Sequence, residues 1–462
     1  MDRLSPLDAA FLEIEDEDHN ASLAIASVAV IDGPAPDQHE LMAAIDARLP
    51  LIPRYRQKIR TIPFDLGPPV WVDDADFDVA HHFQRVAVPS PGDEAALCEL
   101  VALLMSERLD RTRPLWDCWV IEGLAGGRWA LLSKVHHCLA DGVSATGLQT
   151  VLFNGTAPSA ETTFTPSPEP SAPALLFGAA RELLANPLEE LVFAARGLLS
   201  PKKLARRIAD TARGLTAMAG ALVPVAPTSL SGPIGRQRGY AVAHVSLPDA
   251  QEIARFFHTK VNDVVLAAIS GAFRELLLSR GEKPSADALR TLVPVSVREG
   301  DGKDDLNNQV SLMLPLLPVD IADPVVRLTT VSKRLTELKS SKEADAGVAV
   351  TTTAAHAPFA PIAWTVRAAA KLPQQNVVTV ATNVPGPRDK LSVLGSEIVE
   401  LYPYVPIALR LRTGIAVLSY RDRMSFGITT DLDHVRETGL LAETIEREIK
   451  TLAGLAATKT TR

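Results

Sequence analysis

One stretch constrains the fold more than any other: Trp129 to Gly147, WALLSKVHHCLADGVSATG. From Trp129 to Val135 its residues are apolar or small except Lys134, the composition of a largely buried strand. The strand ends in His136 and His137. Cys138-Leu139-Ala140-Asp141-Gly142 follows as a turn, and a helical segment runs from Val143 to Phe153. Asp141 can accept hydrogen bonds within its own turn, and Gly142 tolerates backbone angles that other residues avoid. Strand, titratable pair, tight turn and helix together can deliver one reactive group to a cleft. Successive strand residues point to opposite faces, so one histidine at most faces a given channel. The same residues also suit two core histidines beside an Asp-Gly turn, and the stretch alone leaves both readings open.

Upstream, Leu115–Glu122 has strand character and is joined to the histidine strand by Ala125-Gly126-Gly127, which predicts a hairpin feeding the same centre. Residues 1–19 open with a turn-like start and end in an acidic cluster, Glu13, Glu15, Asp16, Glu17 and Asp18, which is expected to be mostly a solvated face. Ser22–Ile31 is a predicted strand, Asp37–Arg48 a helix capped by Asp37, Pro63–Asp78 a loop, and Gly92–Leu109 an amphipathic helix.

Residues 154–173 are dominated by Pro, Ser, Thr and Ala and predict a linker or exposed crossover. Apolar helical segments follow at Leu175–Ala185 and Leu188–Leu199. Lys202–Met218 then carries Lys202, Lys203, Arg206, Arg207 and Arg213 opposite Leu204, Ile208 and Leu215, a pattern that either packs on the protein or lies in a lipid interface. The expected organisation is a first lobe at 1–153, a crossover with amphipathic helices at 154–231 and a second lobe at 232–462. In the second lobe Tyr240–Leu247, Leu289–Val297, Gln309–Leu317 and Val377–Ala381 are predicted strands. Thr413–Tyr420 and Arg423–Thr429 form a predicted hairpin. Helices are expected at Asp249–Phe257, from Asn262 to Leu278 with Asn262 as N-cap, at Pro324–Leu338 and at Gly439–Leu452.

Composition narrows the function classes. The 462 residues suffice for two domains with substantial cores, and the net charge of -8 argues against a nucleic-acid partner. The three cysteines, Cys98, Cys118 and Cys138, lack metal-ligand spacing and suggest a reducing compartment. No metal site and no phosphate-binding glycine loop is evident, the His81-His82 pair included. The N-terminus lacks a basic region followed by an apolar core, and no apolar run reaches the ~20 residues of a spanning helix. A cytoplasmic or peripheral membrane protein is expected.

HHCLADG fits the HHxxxDG signature of the CoA-dependent acyltransferase superfamily. LSPLDAAFL at Leu4–Leu12, RPLWDCWVIEGL at Arg113–Leu124, NDVVLAAISGAFR at Asn262–Arg274 and TNVPGP at Thr382–Pro387 resemble, in order, the blocks of bacterial wax ester synthase/diacylglycerol acyltransferases. The match looks closest to the actinobacterial triacylglycerol synthases. The resemblance implies an α/β (mixed α+β) fold: two chloramphenicol acetyltransferase-like lobes with the reaction in the cleft between them. It implies His137 as general base, His136 as its packing partner on the other strand face, Asp141 fixing the loop and Gly142 allowing the turn. Cys138 falls at a variable position of the pattern and is not expected to be a nucleophile. Glu15 occupies an acidic position of the N-terminal block, with a supporting role near the site. Trp116 either packs or lines the site. Asn262 is explained as a helix cap, yet the resemblance puts its block near the reaction centre, where it could serve the oxyanion.

The implied chemistry is acyl transfer from long-chain acyl-CoA, a diffusing co-substrate rather than a cofactor, to diacylglycerol. The alternatives are a fatty alcohol acceptor (wax ester synthesis), a different lipid or polyketide alcohol, or a non-catalytic lipid-droplet or membrane scaffold. An intact HHCLADG argues against the scaffold. Contact with a membrane or lipid-droplet surface fits such water-insoluble substrates.

Overall fold

The computed structural model describes residues 2–139, 153, 164–179, 181, 225–296, 310–340, 367 and 377–460. Asp141 and Gly142 lie outside the described residues, as do the expected helices at Leu188–Leu199 and Lys202–Met218 and all but Phe153 of the one at Val143–Phe153.

The turn-like start of the chain is a helix start. Ser5 caps α1 (Pro6–Glu17), its hydroxyl accepting the Asp8 N–H at 3.1 Å, while Pro6 fills a first-turn position that needs no N–H. The acidic run therefore lies on a helix with a buried face, where Glu13 and Glu15 are both buried. Next come β1 (Ala24–Ile31) and α2 (Gln38–Asp46), which Asp37 caps through the His39 and Glu40 N–H groups. β2 (Gln57–Arg60) pairs antiparallel with β3 (Val70–Asp73). β3 lies inside the expected Pro63–Asp78 loop; its Val70-Trp71-Val72 run is short but buried, so burial outweighs the breakers around it. β4 (Phe83–Ala87), α3 (Glu94–Ser106), β5 (Trp116–Leu124) and β6 (Arg128–His136) complete the first half. β5 and β6 form the predicted hairpin, with Gly126 and Gly127 at φ 79° and 70° in its turn.

The second half runs β7 (Arg238–Ser246), α4 (Leu247–Phe256), α5 (Val261–Ser279), β8 (Thr291–Ser296), β9 (Val310–Met313), α6 (Pro324–Ser340), β10 (Thr379–Val384), β11 (Ser392–Val393), β12 (Ser396–Tyr404), β13 (Thr413–Tyr420), β14 (Arg423–Asp431) and α7 (Thr438–Thr460). Among the described residues the strands make two six-stranded sheets, ordered β11-β12-β1-β6-β5-β4 and β7-β14-β13-β10-β8-β9, besides the β2–β3 ribbon. α5 is apolar nearly all round and is buried in the second core, packed against α4, α6 and α7.

The sheets do not respect a single cut of the chain at 232. β12, from the second half, pairs antiparallel with β1 from Ala26↔Tyr404 to Ile31↔Ile398. The first core accordingly includes Leu401, Tyr402 and Tyr404, and also Tyr240 and Leu418. Where β12 passes β14, a Cβ on Gly427 would lie 1.7 Å from the Pro403 carbonyl oxygen; glycine permits that approach, and the Tyr240 hydroxyl donates to the same oxygen at 2.9 Å. Further ties join the halves: Asn20 Nδ2 donates to the Ile234 carbonyl at 3.0 Å, and the Arg238 N–H to Ser106 Oγ at 3.2 Å. The fold is a mixed α/β pair of lobes stitched by an exchanged strand, with the end of β6 near their junction.

Candidate active site

β6 is the middle of the first sheet and is buried from Trp129 to His136. Its apolar residues form that strand because burial of each large side chain contributes ~1.5–3 kcal/mol. Lys134, the exception, is buried with Nζ donating to the Leu104 carbonyl at 2.9 Å and to Glu107, near the C-terminal end of α3. Burial pushes its ammonium down to about 8, against the nearby carboxylates of Asp117, Glu107 and Glu15.

Beyond β6 the ladder continues for one residue: the His137 N–H donates to the Leu23 carbonyl at 3.0 Å. The two histidines then part as strand alternation requires. His136 is fully buried. Its Nδ1 accepts the Cys138 N–H at 3.2 Å and lies 2.9 Å from Cys138 Sγ, so a neutral ring carries its proton on Nε2, which faces Glu15 Oε2 at 3.7 Å. His137 is half-buried and its ring stacks on Phe11, centroids 4.1 Å apart at 30°. Burial pushes the His137 imidazole down to about 4, and the neighbouring His136 adds to the same effect. His137 is therefore neutral, with a lone pair to offer, at any pH near 7.

Glu15 is the hub behind the pair. It is 1% exposed; Oε1 accepts the Leu23 N–H at 2.9 Å and Oε2 accepts Arg111 Nη2 at 2.7 Å. Burial alone would raise this carboxyl, but His136, Arg111 and the Leu23 N–H together hold it at about 2. One residue, Leu23, thus links Glu15 to the His137 backbone. Arg111 also reaches Asp16 at 2.7 Å, and Arg108 Nε donates to the Ala21 carbonyl at 2.9 Å, clamping α1 to the segment before β1.

Cys138 is buried, and burial pushes its thiol up, away from the thiolate a nucleophile needs. Trp116 is 3% exposed; its Nε1 donates to the Tyr55 carbonyl at 2.8 Å and its ring stacks on His82 at 4.3 Å. These contacts favour the packing reading. Asn262 departs from expectation as a cap. Lys260 precedes the helix, and Asp263 Oδ2 reaches back to accept the Lys260 N–H at 3.0 Å. Asn262 is therefore inside the first turn of α5, and its Oδ1 accepts Asn383 Nδ2 at 3.3 Å. The NDVV and TNVPGP blocks meet through that pair, though they are far apart in sequence.

Sequence reasoning missed Phe11, Arg111 and Asn383. Phe11 and Glu15 stand four residues apart on α1, the spacing of one helix face, and that was the available signal. Asn383 lies within the TNVPGP block but nothing local points to its partner, and nothing local marks Arg111; both partners come from other elements.

Residues 4–265 match the family model for the wax ester synthase/diacylglycerol acyltransferase catalytic domain, and residues 306–453 match the C-terminal domain of the same family. A probable diacylglycerol O-acyltransferase of Mycobacterium tuberculosis is 44% identical over 457 residues, covering 99% of this chain and 96% of that protein. A second, putative diacylglycerol O-acyltransferase of the same organism is 37% identical, covering 99% and 92%. Among solved structures, the wax ester synthase/diacylglycerol acyltransferase of Marinobacter aquaeolei superposes with a TM-score of 0.66 at 25% identity, covering 98% of this chain and 100% of that one. A starter condensation domain of rhizomide synthetase shares the fold, with a TM-score of 0.57 at 14% identity over 99% and 94% of the two chains. The chain belongs to the wax ester synthase/diacylglycerol acyltransferase family.

Proposed function

We propose that this protein is an O-acyltransferase that moves a long-chain acyl group from acyl-CoA to diacylglycerol, forming triacylglycerol, with His137 as general base. One observation carries the mechanism: an imidazole at the end of a rigid buried strand, kept neutral near pH 7 and half-open to its surroundings. The alcohol proton passes to His137 as the oxygen attacks the thioester carbonyl. The tetrahedral intermediate collapses with cleavage of the C–S bond, and the same proton returns to the CoA sulfur. A base so placed contributes ~10²–10⁴-fold. No protein nucleophile takes part.

Glu15 and His136 support the base from behind, and the supporting roles of Asp141 and Gly142, which lie outside the described residues, rest on the match of HHCLADG to the HHxxxDG signature. Asn262, unbound to capping duty and paired with Asn383, is the candidate donor to the developing oxyanion. The names of the relatives favour diacylglycerol over a fatty alcohol as acceptor. Such an acceptor is met at a membrane or lipid-droplet surface, and among the described residues no helix is long and apolar enough to cross a membrane. Peripheral contact from the cytoplasmic side is our reading.

The test is a competition assay on the purified protein. Labelled palmitoyl-CoA is offered with diacylglycerol and hexadecanol together, alongside a His137→Ala control. Mostly triacylglycerol, absent with the variant, is the expected result. Mostly wax ester would replace the acceptor and keep the base. Transfer surviving in the variant would overturn the mechanism.

A further inference from the structure

The two faces of the histidine pair are served by one helix. Phe11 and Glu15, four residues apart on α1, lie on a common face. Glu15 faces His136, and the Phe11 ring lies flat on His137 at 4.1 Å. We infer that Phe11 is a positioning residue for the catalytic base, its ring setting the plane of the His137 imidazole and closing one face of it to water. This rests on the reading of His137 as the base.

The contact is a stack at 30° rather than an edge contact, so rotation of the imidazole would drive it into the phenyl face. Phe11 is not a plain core residue either. Its neighbour Leu12 is 4% exposed, whereas Phe11 is half-buried at the rim of a small apolar cluster. That cluster gathers Leu23, Ile234, Ile407 and Ala408 from both halves of the chain, so the ring stands where the lobes meet. A histidine base needs a fixed lone-pair direction, because small misplacements of a catalytic group cost rate steeply. The backbone of His137 is fixed by Leu23, and the stack fixes the torsion beyond it.

Two opposite electrostatic effects are at stake. A phenyl face attracts a cation and would favour the imidazolium, whereas exclusion of water disfavours it. The imidazole is held well below its ordinary 6.5, so exclusion of water prevails. Opening that face should therefore raise, not lower, the pH at which His137 takes up a proton.

The experiment compares Phe11→Ala, Phe11→Leu and Phe11→Tyr with the wild type. It measures kcat and KM for palmitoyl-CoA across the pH range, and follows the His137 Cε1–H NMR signal, assigned by its loss in His137→Ala. For Phe11→Ala the expected result is kcat lower by ~10–100-fold with KM for the donor within about twofold. Its acid limb and its NMR titration should both move up toward about 6.5, the free-histidine value. Phe11→Leu, which keeps the apolar bulk but not the flat ring, should lower kcat with both titrations close to wild type, and Phe11→Tyr, which keeps the ring, should retain kcat and both titrations. Rate loss in Phe11→Ala with both titrations unmoved, or wild-type kcat in Phe11→Leu, would overturn the inference. Should Phe11→Ala fail to fold, the Leu and Tyr variants carry the comparison. If His137→Ala remained active, the base assignment would fall, while the NMR titration would still decide whether Phe11 governs that ring.

Discussion

Replacing Glu15 by Gln removes one charge from a buried site and little else. The amide oxygen can still accept the Leu23 N–H, but the Arg111 guanidinium and the His136 ring lose their carboxylate. The carboxyl is held at about 2 instead of the ordinary 4.5, a gap corresponding to roughly 3 kcal/mol of folded-state stabilisation of the anion. Removing one partner of a buried ion pair costs about 3–5 kcal/mol in other proteins, which agrees in scale. Retaining the hydrogen bond to Leu23 should bring Glu15→Gln to the lower side, about 2–3 kcal/mol at pH 7. Because the folded-state value is depressed, this contribution is complete above the unfolded value near 4.5 and is lost as pH falls toward about 2. Equilibrium urea unfolding followed by tryptophan fluorescence suits the measurement, since Trp71, Trp116, Trp119 and Trp129 all lie in the first half. The gap between wild type and variant should be full at pH 6 and close progressively below about pH 4.5. A gap under about 1 kcal/mol at pH 7, or one that does not change on acidification, would refute the account of Glu15 as a buried charged hub.

Three further outcomes are expected. His137→Ala should lower transfer by ~10²–10⁴-fold while leaving the circular dichroism spectrum unchanged. Asp263→Ala should cost about 1 kcal/mol of stability through the lost cap of α5, whereas Asn262→Ala should cost less stability but more activity; the reverse ranking in unfolding and turnover assays would restore Asn262 as the cap. At the junction of the halves, Glu94 Oε2 accepts His244 Nε2 at 2.7 Å and the Tyr402 hydroxyl at 3.1 Å, while Glu446 accepts the His244 N–H and Glu400 lies beside Tyr402. Burial opposes a charge on His244 but Glu94 outweighs it and raises the imidazole, so this contribution is present below pH ~6.5 and lost as pH rises through the folded value. Glu94→Gln should therefore destabilise more at pH 6 than at pH 9, by under about 1 kcal/mol given the exposure of the pair.

The sequence alone determined what depends on neighbours along the chain. The period of apolar residues located β1, β6, β7, β13 and β14 to within a few residues, and Asp37 marked a helix start through its own side chain. Alternation along β6 already separated His136 from His137, whereas the helix that puts Phe11 and Glu15 on one face emerged only in the structure. Tertiary structure decided everything that rests on partners distant in the chain. Glu15 was one acid in an acidic run until Arg111, Leu23 and His136 enclosed it. Asn262 looked like a cap until Asp263 closed the helix start and Asn383 arrived from β10. β12 was not among the predicted strands, and its pairing with β1 follows from fit. A strand's apolar period says which face is buried, while hydrogen bonds along its edge accept any partner whose register and side chains pack.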